Sequence, residues 1–403
     1  MVTIARSTAI GFAVGLGLAS TTALAGDQTA WRLFVSDHEA PVVNVVDAVS
    51  GKQLDRFELR GPASLYRSAS GRAVFAVQGS QNTVTAISTG ISLDDHGDHG
   101  DIEVTDPKLT GFALTGDKPV HFVEHDGVFA AFFDGEGKAR IFSEKAALQG
   151  KAEVREVNSG APHHGVALAH GRHVLVSESN RQRPDELPIG IKVVDAAGAT
   201  VGHMHACPDL HGEATSGNLT AFACATGILL VTKGEEGPQV RHLAYPERFP
   251  DGKATTLVGG RGLQYFLGNY GPDKIVLIDP AAMGPFRLIE LPTRRVHFAV
   301  DPVRPRFAYV FTEDGRLHQV DVIAGSVTKS IALTDPYSMD GHWSDPRPRL
   351  AVAGERIVVT DPLKGVLHLV DAANFEDVGE VTVEGRPFNV VAVGGSGQTH
   401  ETE

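Results

Sequence analysis

Five histidines share one position of a repeating unit. Superposing the short apolar segments that open at Pro62, Pro119, Pro162 and Pro387, with their less regular counterparts, aligns Ser64, His121, His164, His211, Thr255, His297, His342 and Asn389. Successive members are separated by 57, 43, 47, 44, 42, 45 and 47 residues. Neutral imidazole is a ligand of Zn²⁺, whose tetrahedral sites need three or four nitrogen, sulfur or carboxylate donors converging from a rigid frame. His121, His164 and His211 come from three consecutive repeats and can meet around one ion. His297 and His342 also come from adjacent repeats, and form a second site or complete the first. His163 and Asp209, flanking the same segments, are weaker candidates, and Glu213 is placed to act as a base near His211.

A lone histidine on a strand is ordinarily a satisfied core or surface residue, and His38, His170, His173, His242, His318, His368 and His400 take that reading. Repetition at one register is what sets the five apart. Copper and nickel also bind imidazole, copper more tightly. Only four methionines, the initiator included, argue against a dedicated Cu(I) carrier.

A second group of donors sits where the repeat is longest. The 57-residue interval contains Asp94-Asp95-His96-Gly97-Asp98-His99-Gly100-Asp101, in which His96, His99 and Asp98 are candidate ligands. Residues 93–101 have no apolar anchor beyond Leu93, and the segment at 92–104 is expected to be a mobile surface loop that gathers divalent cations.

The elements that must position these residues follow from the period. Units in the forties, each with several short β-like runs, signify a propeller of four-stranded blades, whose first strands line a central channel. The expected fold is all-β, a single propeller of eight blades, with seven as the alternative if one repeat is degenerate. A second landmark gives the same unit: an apolar run ending in Asp recurs at Asp47, Asp195, Asp279, Asp321 and Asp371. Aspartate before small residues suits the turn after a third strand, because its side chain can accept from the backbone two residues on. The C-terminal segment Arg386–Gly395 reads as an inner strand whose blade is completed by the N-terminal run containing Trp31, so the two ends close the ring and remove open edges.

Residues 1–25 read as a secretory signal, with Arg6, an apolar stretch and the small-residue site Ala23-Leu24-Ala25. The propeller is expected over 26–397, with a tail at 398–403. No other run is long and apolar enough to span a membrane, so no membrane insertion is expected. The net charge of −13 excludes nucleic acid as a partner and suits cations. Cys207 and Cys224, in an exported chain, favour a disulfide. As thiolates they would instead be soft metal ligands beside His203, Met204 and His205.

No Gly-x-Ser-x-Gly elbow, P-loop, Cys-x-x-Cys-His or His-Glu-x-x-His occurs, so the chain is not expected to be an enzyme. The segments DDHGDHGD at 94–101, KPVHF from Lys118, PHHG at 162–165 and LHGE at 210–213, together with the leader and the propeller plan, resemble the AztD-type periplasmic zinc metallochaperones. The resemblance spans the whole mature chain. It implies a periplasmic monomer that stores Zn²⁺ and passes it to the solute-binding protein of an ABC zinc importer, with His96 and His99 as exchange ligands. Two other classes stay open: a metal-dependent propeller enzyme, hydrolase or quinoprotein-like oxidoreductase, and a protein-binding propeller.

Overall fold

A computed structural model describes residues 26–97 and 99–399; the leader at 1–25, Asp98 and residues 400–403 lie outside the described residues. Eight sheets succeed one another along the chain, seven antiparallel sheets of four strands and one of six with a single parallel join. This is an eight-bladed propeller, with each blade's strands in sequence order from axis to rim. The exception is the closing blade, where Pro387–Thr399 is innermost and Gly26–Asp37, Val42–Asp47 and Gln53–Glu58 follow outward. Its long seam pairs Val35 with Val390, Leu33 with Ala392 and Gly26 with Thr399.

Blades stack because their middle strands are apolar on both faces. In Val128–Phe133, Phe129 and Phe133 join Phe75, Phe122 and Phe142 on one side, while Ala130 and Phe132 join Val174 and Val176 on the other. Residues two apart share a face, so an unbroken apolar run serves two interfaces at once. All five aspartates that mark third strands accept from the backbone two residues on, at 3.2 Å for Asp47, 2.9 Å for Asp195 and 3.0 Å for Asp279, Asp321 and Asp371.

Two details differ from expectation. The segment with His342 is an exposed turn, and the innermost strand of its blade starts only at Leu350. Arg349 thus takes the place assigned to His342, pairing with Thr360 as His297 pairs with Phe311. The Asp/His-rich segment is a β-hairpin, Ile91–Asp95 with Gly100–Val104, not a free loop. Its anchors lie at its base, where Ile91 and Ile102 are buried, and Leu93 lies on Gly395. The hairpin then adds to the end of Pro387–Thr399 through Gln398 and Asp101. Gly397 is required at this contact, since a Cβ there would meet the backbone of Gly100 and Asp101 at 2.8 Å.

Cys207 and Cys224 form a disulfide, which fits an extracytoplasmic location. No described helix is long and apolar enough to cross a membrane. The disulfide ties the segment leading to His211 onto the end of Leu219–Cys224, where His211 N–H also donates to the Ala223 carbonyl at 3.1 Å. Replacing both cysteines by serine is expected to lower unfolding stability by about 3 kcal/mol, the usual worth of a loop this size. Denaturant titration of the mature protein checks this; an unchanged midpoint would show that the bridge holds nothing the strands do not.

Candidate metal site

Among the described residues, one group of three potential ligands converges: His121, His164 and His211, whose donor atoms all lie within 4.8 Å of one another. His121 is near the start of Pro119–His125, and His164 and His211 stand just before the inner strands Ala167–His170 and Glu213–Ser216. The site therefore occupies the channel mouth at which inner strands begin. Three neighbouring blades each contribute one ring.

His121 Nε2 is 3.2 Å from His164 Nε2, which is 3.3 Å from His211 Nε2. Every Nδ1 points the other way, at an acceptor. Glu213 Oε1 lies 3.0 Å from that of His121, Asp134 Oδ2 2.7 Å from that of His164, and the Thr255 carbonyl 2.8 Å from that of His211. Carboxylates and carbonyls only accept, so each neutral ring must carry its proton on Nδ1. All three Nε2 lone pairs then face one another. Two nitrogens of a tetrahedral zinc site, each about 2.0–2.1 Å from the ion, stand about 3.3 Å apart. The spacing found here fits that ion, and the outer acceptors are the partners that orient and enrich metal-bound imidazole.

Glu213 adds a fourth group. Its Oε2 is buried without a hydrogen-bond partner. Burial works to raise its pKa, but the charge and hydrogen bond of His121, with the charges of His211 and His164, hold it below the usual carboxylate value. A buried carboxylate oxygen left unmatched is costly unless a cation completes it. For His121, burial works to lower the pKa, and Glu213 with Asp134 outweighs it and raises it. His211 is depressed by burial and by the neighbouring rings of His121 and His164, against the pull of Thr255.

The other candidates are elsewhere. His163 is 5% exposed and satisfied at both nitrogens, by the Ala161 carbonyl and Ser177 Oγ, each at 2.8 Å. His297 accepts from the Leu350 N–H at Nδ1, 3.1 Å, so its neutral ring has the opposite tautomer and no lone pair on Nε2. Burial, with the charges of Arg349 and Arg295, pushes its pKa well down, and two guanidinium groups repel a cation. His342 is exposed, with Nδ1 at 2.7 Å from Ser344 Oγ. His96 and His99 do meet each other, ring centroids 5.2 Å apart, and flank Asp101 at 3.0 and 3.6 Å. Their hairpin joins the axis-side edge of Pro387–Thr399 near its last residues, at the channel end opposite His121. Asp134 was not singled out from sequence, because an aspartate before glycine after an apolar run looks like any turn.

These features define an eight-bladed propeller with a three-histidine channel site shaped for a metal ion. The chain is 54% identical over 386 residues to the zinc chaperone AztD of Citrobacter koseri, covering 96% of this chain and 92% of that protein. The crystal structure of Citrobacter koseri AztD superposes with a TM-score of 0.91, covering 93% of this chain and 100% of that one. The apo form of that protein gives 0.89 at 53% identity, over 92% of this chain and 99% of that one. The chain belongs to the AztD zinc chaperone family, a family of carriers rather than enzymes. A dihydro-heme d1 dehydrogenase, NirN, shares the fold at TM-score 0.57 and 12% identity, covering 89% of this chain and 74% of its own. No protein-family model matches the chain.

In metal-free protein, Glu213→Gln removes the charge that raises His121 and leaves burial to lower it. The His121 midpoint in an NMR pH titration should therefore fall, whereas in the unaltered protein all three neutral rings should show Nδ1–H tautomers. An unchanged midpoint would disconnect Glu213 from the ring.

Proposed function

We propose that this protein binds Zn²⁺ at His121, His164 and His211 in the periplasm and hands it to the solute-binding protein of an ABC zinc importer. The observation that carries the reading is the convergence of three Nε2 lone pairs at 3.2 and 3.3 Å, each ring backed by an acceptor. Three imidazoles leave a fourth position, which Glu213 or a ligand from a second protein can take. Exchange then proceeds one ligand at a time, with no free ion released. The sequence leader, the disulfide and the membership of the AztD family support the compartment and the cargo.

The hairpin has a separate part in this reading. His96 and His99, sharing Asp101, form a weaker exchange station at the other channel mouth. Its edge position suits a contact with the acceptor, whereas the ring-held trio suits storage. The acidic chain, at −13, raises the local cation concentration for both.

His121→Ala or His164→Ala should abolish tight zinc binding and leave the fold intact, because each ring is one ligand on a rigid frame. Asp134→Asn should weaken binding by about 10–100-fold, the usual effect of losing the partner of a metal-bound histidine. Competition with a chromophoric chelator measures both. Changing His96 and His99 together should slow delivery to a zinc solute-binding protein more than it lowers affinity; equal loss of affinity from the two sites would contradict the division. Acid should release zinc as the rings protonate, since the ligands must be deprotonated to bind.

A further inference from the structure

The disulfide consumes both thiolates and leaves the neighbouring histidines to be explained. His203 and His205 lie on Thr200–Ala206, the outermost strand of its blade, with ring centroids 4.9 Å apart. Residues two apart share a face of a strand. Here a bulge sharpens the effect: Ile191 pairs with His205 but Val193 with Val201, and Gly202 between them has φ of 72°. Bulges re-aim side chains. Met204, between the two rings, turns back against Gly190.

Both rings line a groove of about 900 Å³ between this blade and the next. His173, only 7% exposed, lines it too, and Glu235 and Glu236 stand on the facing hairpin at 233–238. Among the described residues, no ring nitrogen of His173, His203 or His205 has a hydrogen-bond or ion-pair partner. These nitrogens open onto the groove and are free to take a ligand there. Burial, and then the charge of His203, lowers the His205 pKa.

We propose that this rim groove is a further site for a borderline divalent cation such as Zn²⁺, chelated by His203 and His205, with His173 or a glutamate of the facing hairpin completing the set. Imidazole with carboxylate selects such ions over calcium or magnesium. Neither the channel trio nor the Asp/His hairpin contributes a residue, so the site stands whether or not the channel stores zinc. Two ligands on an outermost strand, with no third donor converged on them, make it weaker than the channel trio.

The test titrates Zn²⁺ alone into the mature protein by calorimetry, in a background carrying His121→Ala, His164→Ala, His96→Ala and His99→Ala. One equivalent of zinc should still bind, and adding His203→Ala with His205→Ala should remove it while the thermal melt stays unchanged. The single change His203→Ala, on an exposed ring, should weaken that binding at least tenfold. No residual equivalent in the fourfold variant, or one that survives loss of both His203 and His205, overturns the proposal. Failure of the channel reading would show differently, as tight binding that persists after the His121 and His164 changes.

Discussion

Three lone pairs aimed at one point repel one another, and only a positive charge between them makes the arrangement favourable. The placement of the Nδ1 acceptors forces it. With Glu213, Asp134 and the Thr255 carbonyl each taking an Nδ1 proton, no ring can turn its Nε2 into a donor without becoming charged. The trio therefore has the geometry of a socket for a cation. Preorganised ligands bind tightly because little ordering remains to be done on binding.

What resists the repulsion is the ring. Each histidine sits at the start of an inner strand, and each strand is held in a blade clamped between two others by aromatic and branched side chains. The blade cannot shift alone, since its faces are shared. Closure by Gly26–Asp37 on Pro387–Thr399 extends that constraint around the full circle, and the Cys207–Cys224 bridge applies it locally at His211. A close-packed interior transmits such restraint because it has few voids into which to relax.

Much of this was legible in the sequence, and the reasons are particular. The period could be read twice, once from the inner strands and once from the aspartates, because a propeller repeats its turns as well as its core. His121, His164 and His211 stood out because three consecutive repeats carry the same ligand at one register. His342 misled because spacing cannot see where a strand starts: an exposed turn tied down by Arg347 precedes Leu350, and Arg349 occupies the place. His297 holds the register but not the chemistry, since its tautomer is set by the Leu350 N–H and its neighbours are arginines. Asp134 and the second role of Glu213 were invisible, as they depend on which side chain of another blade stands opposite. The hairpin at 91–104 was misread as a loop because its anchors, Ile91 and Ile102, flank the polar stretch, and its partner is at the far end of the chain.

The most direct measurement is an anomalous-difference map at the zinc edge from crystals of the mature protein loaded with one equivalent of Zn²⁺. One strong peak is expected in the channel, about 2.0–2.1 Å from Nε2 of His121, His164 and His211. A channel without that peak, with zinc only on the Asp/His hairpin or at the rim, would contradict it.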